Sequence, residues 1–476
     1  MKTEEKKMVN AVFNYFYSPS YGRKALAKIP HLMKEKGVNP KLILGWGKPF
    51  YSDFSYLDQT IRYINGINLG PYDNSLEIIL QKYTNLDIKI PNDLYDSLLV
   101  KFGRYCDLLS RYDANGQRYH DYLNLFHIYI RFFYAYLSTE NIDIVYFSHF
   151  LHQGNDLVLY EIAKYLNIKT FFTHPIYEVE TGKSLLLYTD TMDFDNLFHL
   201  MKKKLWNSEV HIPTSFKKDL AYMKNLHIPQ IKDKKFKIHR LDAFRCILPF
   251  RQKFMNSNKF INRLYSRLFE YKKYKDSLSA RNKYIQPADF SKKYVYFGLH
   301  LQPEATTSFF GGKYVDQLLA IERLAEMIPE DWKIYVKENP KQTDLYRGKS
   351  FYGRLHMIKK AVLVPLETDT YELMEHSQFV ASITGTMLYE AVSGGKPALM
   401  FGHFWYDRLP GVFKYKPDLK VEDIINCQID HDELQQKARD FYSLCLDASI
   451  WDHFSLDDEN ENKIVNLMLA YLHGIM

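Results

Sequence analysis

Two stretches of the chain alternate short apolar runs with segments of helical period, and the residues between them follow a different pattern. In the first stretch Val9–Tyr17 predicts a strand, Gly22–Lys36 a helix and Lys41–Trp46 a strand, with helices over 93–112 and 117–139. The apolar run Ile142–Phe147 reads as a buried strand, Asp156–Leu166 as a helix and Ile168–Thr173 as a strand. That last triplet is a compact βαβ unit, so its strands should lie parallel with a right-handed crossover. The second stretch predicts strands at Tyr294–Leu299, Trp332–Lys337, Ala361–Val364, Phe379–Ile383 and Pro397–Phe401. Helices at Tyr314–Met327, Tyr371–His376 and Met387–Ser393 fall among them, and further helices run on to Met476.

Residues 192–283 read as helical and basic, with Phe254, Phe260, Ile261, Leu264 and Leu268 recurring near helical spacing. At 476 residues the chain exceeds what one ordinary core organises. The expected fold class is therefore α/β, with two Rossmann-like domains facing across a cleft and a helical basic connector. The boundaries are 1–205, 206–290 for the connector, and 291–449, with 450–476 a C-terminal helix returning to the first domain. Ligands of open α/β sheets bind beyond the carboxyl ends of the strands, so residues just after strands carry the functional interest.

Charge sharpens this picture. The segment Lys232–Lys293 holds 18 Lys and Arg against 5 Asp and Glu, and the rest of the chain is net negative by 6. A basic patch facing an anionic surface fits that distribution. A nucleic-acid-binding protein does not, because the remainder is acidic and no recognised module is present. No run approaches the length of a membrane span, and Met1–Lys7 followed by residues broken at Asn14 and Pro19 makes a poor secretory signal. The expected location is cytoplasmic, peripheral to the inner face of the plasma membrane. Cys106, Cys246, Cys427 and Cys445 form no CxxC pair, which points to reduced thiols and no structural metal. The 38 Tyr and 32 Phe are too many to serve chiefly as sugar-stacking platforms and belong mostly to cores.

Three strand ends of the second stretch carry chemistry. Ser382-Ile383-Thr384-Gly385-Thr386 closes a buried strand and opens a helix, with Glu390 one turn on and Gly394-Gly395-Lys396-Pro397 after it. Amides at a helix amino end and the Thr384 and Thr386 hydroxyls suit a phosphate, although Ser and Thr also serve as plain caps. Lys337-Glu338-Asn339-Pro340 follows another strand; Lys337 suits a phosphate, and Asn-Pro also suits a simple turn. Gln302 and Glu304, in His300–Thr307, suit contacts to a donor or acceptor hydroxyl.

In the first stretch Ser148–Asp156 lies between strand and helix. His149, His152 and Asp156 there suit acid–base work, with a helix cap as the plain reading of Asp156. His174 and Glu178 follow the next strand. Asp193-Phe194-Asp195 is an Asp-x-Asp of the kind that binds metal in some transferases, but it lies where Asp is favoured at a helix start, and no metal is expected.

The segment His152–Lys164 resembles part of the bacterial capsule and lipopolysaccharide synthesis proteins. The Gln302-Pro303-Glu304, Lys337–Pro340 and Thr384–Pro397 segments are similar to patterns in their C-terminal halves. Within that group the resemblance extends to the retaining β-Kdo transferases, GT-B enzymes that use CMP-Kdo without a metal. The likeness covers 142–175 and 294–402, and Asn339 stands where related proteins often carry the His of Lys-x-His-Pro. It implies a glycosyltransferase that takes a nucleotide sugar to a glycan or glycolipid acceptor, with no cofactor beyond the donor. Lys337, Asn339, Thr384, Gly385, Thr386 and Glu390 would hold the nucleotide. His149, His174 and Gln302 would contact donor or acceptor, and Asp156 is the first choice of catalytic carboxylate, ahead of Glu304 and Glu178, with His152 beside it. UDP- or GDP-sugars, or a non-catalytic assembly or export role on the same fold, are the alternatives.

The basic segment generates its own test. Each Lys or Arg near an anionic leaflet contributes about 1 kcal/mol, so a few suffice for reversible attachment. Sedimentation with vesicles should show binding to anionic and not neutral lipid, released by salt. Replacing Arg263, Arg267, Lys272 and Lys273 together by Gln should weaken it; equal binding by both proteins would make the segment ordinary scaffold.

Overall fold

A computed structural model describes residues 8–16, 24–45, 62–65, 88–110, 119–177, 184–202, 272, 274–342, 344–450 and 459–474. The chain divides into two compact units. The first comprises Met1–Thr214, Pro303–Phe309 and Gln436–Met476; the second comprises Ser215–Gln302 and Phe310–Gln435. Most of the expected connector lies outside the described residues, including Arg251, Phe254, Phe260, Arg263, Leu264, Arg267, Leu268 and Lys273. Of its remainder, 274–284 is helical.

The sheet of the first unit contains β1 (Val9–Asn14), β2 (Val38–Gly45), β3 (Arg62–Asn65), β4 (Ile144–Phe147), β5 (Lys169–Tyr177) and β6 (Ser184–Thr189), in the order β3-β2-β1-β4-β5-β6. All neighbours are parallel except β5 and β6. Its central strands are buried on both faces, as in β4, where all four residues are enclosed. The helices are α1 (Lys24–Glu35), α2 (Asn92–Leu99), α3 (Phe102–Ser110), α4 (Tyr119–Thr139) and α5 (Asn155–Tyr165).

Two sequence expectations change here. The helix expected over 93–112 is two helices, α2 and α3. The strand expected to stop at Thr173 continues to Tyr177, so His174 and Pro175 lie within β5, paired with Leu187 and Leu186 of β6. Proline is tolerated there because β5 has outrun β4, whose pairing ends at Phe147–Phe172.

The second unit repeats the topology. Strands β7 (Tyr294–Gly298), β8 (Lys333–Lys337), β9 (Ala361–Leu363), β10 (Val380–Ser382), β11 (Ala398–Met400) and β12 (Val412–Lys414) stand in the order β12-β11-β10-β7-β8-β9, all parallel. Relabelled within the unit, this is again 3-2-1-4-5-6, the Rossmann order. Helices α6 (Gln317–Met327), α7 (Asp344–Met357), α8 (Thr370–His376) and α9 (Thr386–Ser393) follow β7, β8, β9 and β10 in turn, and α10 (Val421–Ile425) follows β12. Phe297, Val336, Ala381 and Leu399 of the sheet pack with Leu318, Ile321 and Leu324 of α6 in one core.

Helices α11 (His431–Ser443) and α12 (Asn460–Leu472) close the chain. Helix α12 lies against α1, with Ile464, Val465, Leu467 and Met468 buried and Lys28 paired to Glu461 at 3.1 Å. The buried Asn460 fastens its start, accepting from the Ser449 amide at 2.8 Å and donating to the Ser449 carbonyl at 2.9 Å. Among the described residues no helix is long and apolar enough to cross a membrane.

Candidate functional site

Each sheet has a switch point where strand order reverses, between β1 and β4 in the first unit and between β7 and β10 in the second. The unusual polar residues collect at both.

In the second unit the loop after β7 is held by a buried polar network. Arg347 of α7 bonds Glu338 through Nε and Nη2, each at 3.1 Å, and both side chains are almost wholly enclosed. Its guanidinium also donates to the His300 carbonyl at 2.5 Å and to Gln302 Oε1 at 3.2 Å, and lies over the Phe351 ring. Tyr352 donates to Glu338 at 3.2 Å. Gln317 and Gln342 bind the backbones of His300 and Gln302. The His300 imidazole then crosses to the other side of the switch point, where Nε2 accepts from the Thr384 amide at 3.0 Å. Burial, aided by Arg347, pushes the His300 pKa down to about 3, so the ring is neutral and Nδ1 carries the proton.

Beyond Thr384, α9 begins at Gly385 with no side-chain cap. The Thr384 carbonyl accepts from Tyr406, and Leu388 bonds back to the Gly385 carbonyl at 3.0 Å. The amides of Gly385, Thr386 and Met387 have no hydrogen-bond acceptor among the described residues. Thr386 is exposed. A Cβ on Gly385 would stand 3.1 Å from His300 Nε2 and 3.2 Å from Ser382 Oγ. A side chain there would have to displace these neighbours by a few tenths of an ångström, so packing favours glycine at that position.

Several sequence-selected residues prove to be committed internally. Lys337 is buried and donates to the Thr368 carbonyl and Thr370 Oγ1, both at 2.7 Å. Burial lowers its pKa to about 8, against the opposing pull of Asp369 and Glu367. Its ammonium thus secures the entry to α8. Asn339 accepts from the Lys341 amide at 2.9 Å and forms the turn that was its plainer reading. Gln302, half-buried, donates to the Val315 carbonyl and accepts from Gln317 and Arg347. Glu390 is buried on the second turn of α9 and accepts from Tyr371 at 3.0 Å.

In the first unit, β1 runs into Tyr15, whose φ of 63° is a strained value for an aromatic residue. Its carbonyl accepts from Ser148 Oγ at 2.7 Å. That hydroxyl has one proton, so the 3.0 Å contact to His149 must be donated by His149 Nδ1. The His152 ring lies nearly parallel, 6.4 Å away, with Nδ1 3.5 Å from Glu304 Oε1. Two catalytic candidates 152 residues apart thus meet in the first unit, because Pro303–Phe309 belongs to it. The His174 ring stacks on Phe150 at 4.3 Å. Glu178 lies outside the described residues.

Asp156 has a different place from the one expected. It is buried, and its oxygens accept from the amides of His152 at 2.6 Å and Gln153 at 3.1 Å, with Gly154 and Leu157 adding to them. This carboxylate folds the loop that presents the histidines, the helix-cap reading of the residue. Gly154 allows the fold: its φ is 80°, and a Cβ would press on Tyr105 at 3.2 Å. Asp193 accepts from Asn196 Nδ2 at 2.8 Å in a local turn, and among the described residues no cluster of three or more His, Cys, Asp or Glu is arranged to hold a metal.

Sequence reasoning missed Arg347, Glu338 and His300. The signal was present: His300 and Glu338 directly follow strands, but Arg347 lies inside a helix whose pattern was not recognised.

These two Rossmann-like units define an α/β protein, and residues 207–417 match the family model of capsule polysaccharide biosynthesis proteins. The likeness to capsule synthesis proteins is borne out over that region, which includes the whole second sheet. No curated protein matches the chain. Among solved structures it is similar to Thermosulfurimonas dismutans KpsC, a beta Kdo 2,7 transferase, at 17% identity and a TM-score of 0.25 over 42% of this chain. That match spans 62% of the KpsC chain, less than two thirds of it. It is also similar to the Methanocaldococcus jannaschii UDP-GlcNAc 2-epimerase in complex with UDP-GlcNAc and UDP, at 11% identity, 97% and 99% coverage of this chain and that one, and a TM-score of 0.26. A glycosyltransferase from Rickettsia africae ESF-5 matches at 13% identity, 98% coverage of each chain and a TM-score of 0.23.

The placement of Asp156 has a measurable consequence. Asp156→Ala leaves buried amides without an acceptor, at a cost of roughly 1–3 kcal/mol to the first unit. Burial raises the folded-state pKa to about 6, above its unfolded value. The stability it adds is therefore complete below the unfolded pKa and lost as pH rises through about 6. Chemical unfolding should show the gap between wild type and variant shrinking from pH 4 to 7. A constant gap would contradict this burial.

Proposed function

We propose that the protein is a glycosyltransferase of capsule polysaccharide synthesis, with the second unit holding a nucleotide sugar and the first receiving a glycan or glycolipid acceptor. The carrying observation is the amino end of α9, where the Gly385, Thr386 and Met387 amides and the exposed Thr386 hydroxyl stand beside the switch point. Amides at a helix start concentrate positive potential and favour a phosphate. When the bond between anomeric carbon and phosphate breaks, charge grows on the departing phosphate, and fixed donors aimed at it stabilise that change.

The acceptor hydroxyl must lose a proton as its oxygen bonds to the anomeric carbon. His152, with Nδ1 3.5 Å from Glu304, and His149, bonded to Ser148, are the groups of the first unit that suit that task. The resemblance to β-Kdo transferases favours a CMP-activated ulosonic acid such as Kdo as donor, and UDP- and GDP-sugars are the alternatives.

A substitution can remove one of the amides. Thr386 is the first residue of α9 and Gly385 before it is extended, at φ −74° and ψ 142°, so proline fits at 386 without breaking the helix. A hydrogen bond to a charged group is worth about 1.5–3 kcal/mol, so Thr386→Pro should weaken nucleotide binding about tenfold or more. Calorimetry with CMP, UDP and GDP checks this, and the tightest of the three identifies the donor class. Unchanged affinity in a folded variant would remove the phosphate site from α9.

A further inference from the structure

The switch point of the second unit contains a histidine that nothing in the proposed chemistry requires as an acid, a base or a cation. His300 is enclosed and tied at both ends of its backbone: its amide donates to Gln317 Oε1 at 2.7 Å, and its carbonyl accepts from Arg347 at 2.5 Å and from Gln317 at 3.3 Å. The backbone position is therefore set by Gln317 together with Arg347, itself held by Glu338. Only the ring reaches across to β10, and it takes one hydrogen bond, from the Thr384 amide.

That bond decides how the turn faces. Thr384, Gly385, Thr386 and Met387 bring four consecutive amides to the start of α9. A turn of this kind can spread them, or it can commit one inward and hold the others as a group. Here the Thr384 amide is committed to His300, and its carbonyl is held by Tyr406. Gly385 follows with no Cβ to push the ring away.

We propose that His300 is a positioning residue that turns the Thr384 amide inward and so aims the amides of Gly385, Thr386 and Met387 at the phosphate of the donor. The inference rests on the reading of α9 as a phosphate site and adds the group that orients it. The ring acts as a neutral acceptor. A protonated His300 would lose the Nε2 lone pair that the Thr384 amide requires, and burial beside Arg347 opposes that protonation. The role therefore differs from that of an imidazolium bound directly to phosphate, whose grip would fade as pH rises through the ordinary histidine range.

His300→Phe keeps a ring and removes the acceptor; His300→Gln keeps an acceptor. Hydrogen exchange of the unliganded protein should show faster exchange of the peptide spanning 383–387 in His300→Phe, with His300→Gln closer to wild type. With whichever of CMP, UDP or GDP the wild type binds, His300→Phe should raise Kd about tenfold, the scale of one hydrogen bond to a charged group, and His300→Gln should recover part of the loss. The matching nucleoside, which lacks phosphate, should bind wild type and His300→Phe alike, and the pH profile of nucleotide affinity, which the phosphate's own ionisation near about pH 6 shapes, should be the same in wild type and His300→Gln. Equal loss for nucleoside and nucleotide, or unchanged exchange at 383–387, would overturn the positioning role while leaving the phosphate site standing. A wild type that binds none of the three nucleotides would instead remove the phosphate reading and this inference with it.

Discussion

The buried pair between Arg347 and Glu338 is the constraint on which the second switch point depends. Two charges removed from water this completely persist only when the remaining donors and lone pairs are met. Arg347 meets that condition by bonding the His300 carbonyl and Gln302 side chain, and Glu338 by accepting from Tyr352 as well. The ends of β7 and β8 and the first turn of α7 are thus tied through one guanidinium. Such a pair adds little net stability over an apolar replacement, and its value lies in specifying one arrangement of the loops.

The same strand order is used twice with opposite polar content. In the second unit the central loops end in uncommitted amides and a neutral imidazole, an environment suited to holding negative charge. In the first unit they end in two imidazoles, a carboxylate and a strained tyrosine backbone, an environment suited to moving protons. This division follows from what succeeds the central strands. A Thr-Gly-Thr turn opens a helix shortly after β10, whereas after β4 the loop 148–154 must be folded around Asp156 before its helix can begin.

Periodicity made the two α/β halves legible because strands buried on both faces read as unbroken apolar runs. It failed where the signal was short or mixed. β12 has three half-buried residues, and α7 contains Gly348 at φ 70°, a backbone value that interrupts helical patterning. For the site, spacing located the loops correctly but could not say which groups point outward. Lys337, Gln302, Asn339 and Asp156 are polar residues at strand or helix ends, as ligand-binding residues are. Their partners lie up to 45 positions away in sequence, and only the fold shows those partners consuming them. The meeting of His152 with Glu304 was equally beyond local pattern, since each lies in a different stretch of the chain.

The assignment of Pro303–Phe309 to the first unit, between flanks that belong to the second, has a consequence for inheritance. Neither unit is encoded by one continuous stretch of gene. A single recombination event that swapped the second half for a relative's would also import a foreign heptapeptide into the first, bringing a new partner for His152 and a new aromatic at Phe309 against Arg104. Exchange of the second unit between relatives by simple crossover is therefore restricted to sequences whose inserted heptapeptide already suits the recipient, and the two units should diversify together.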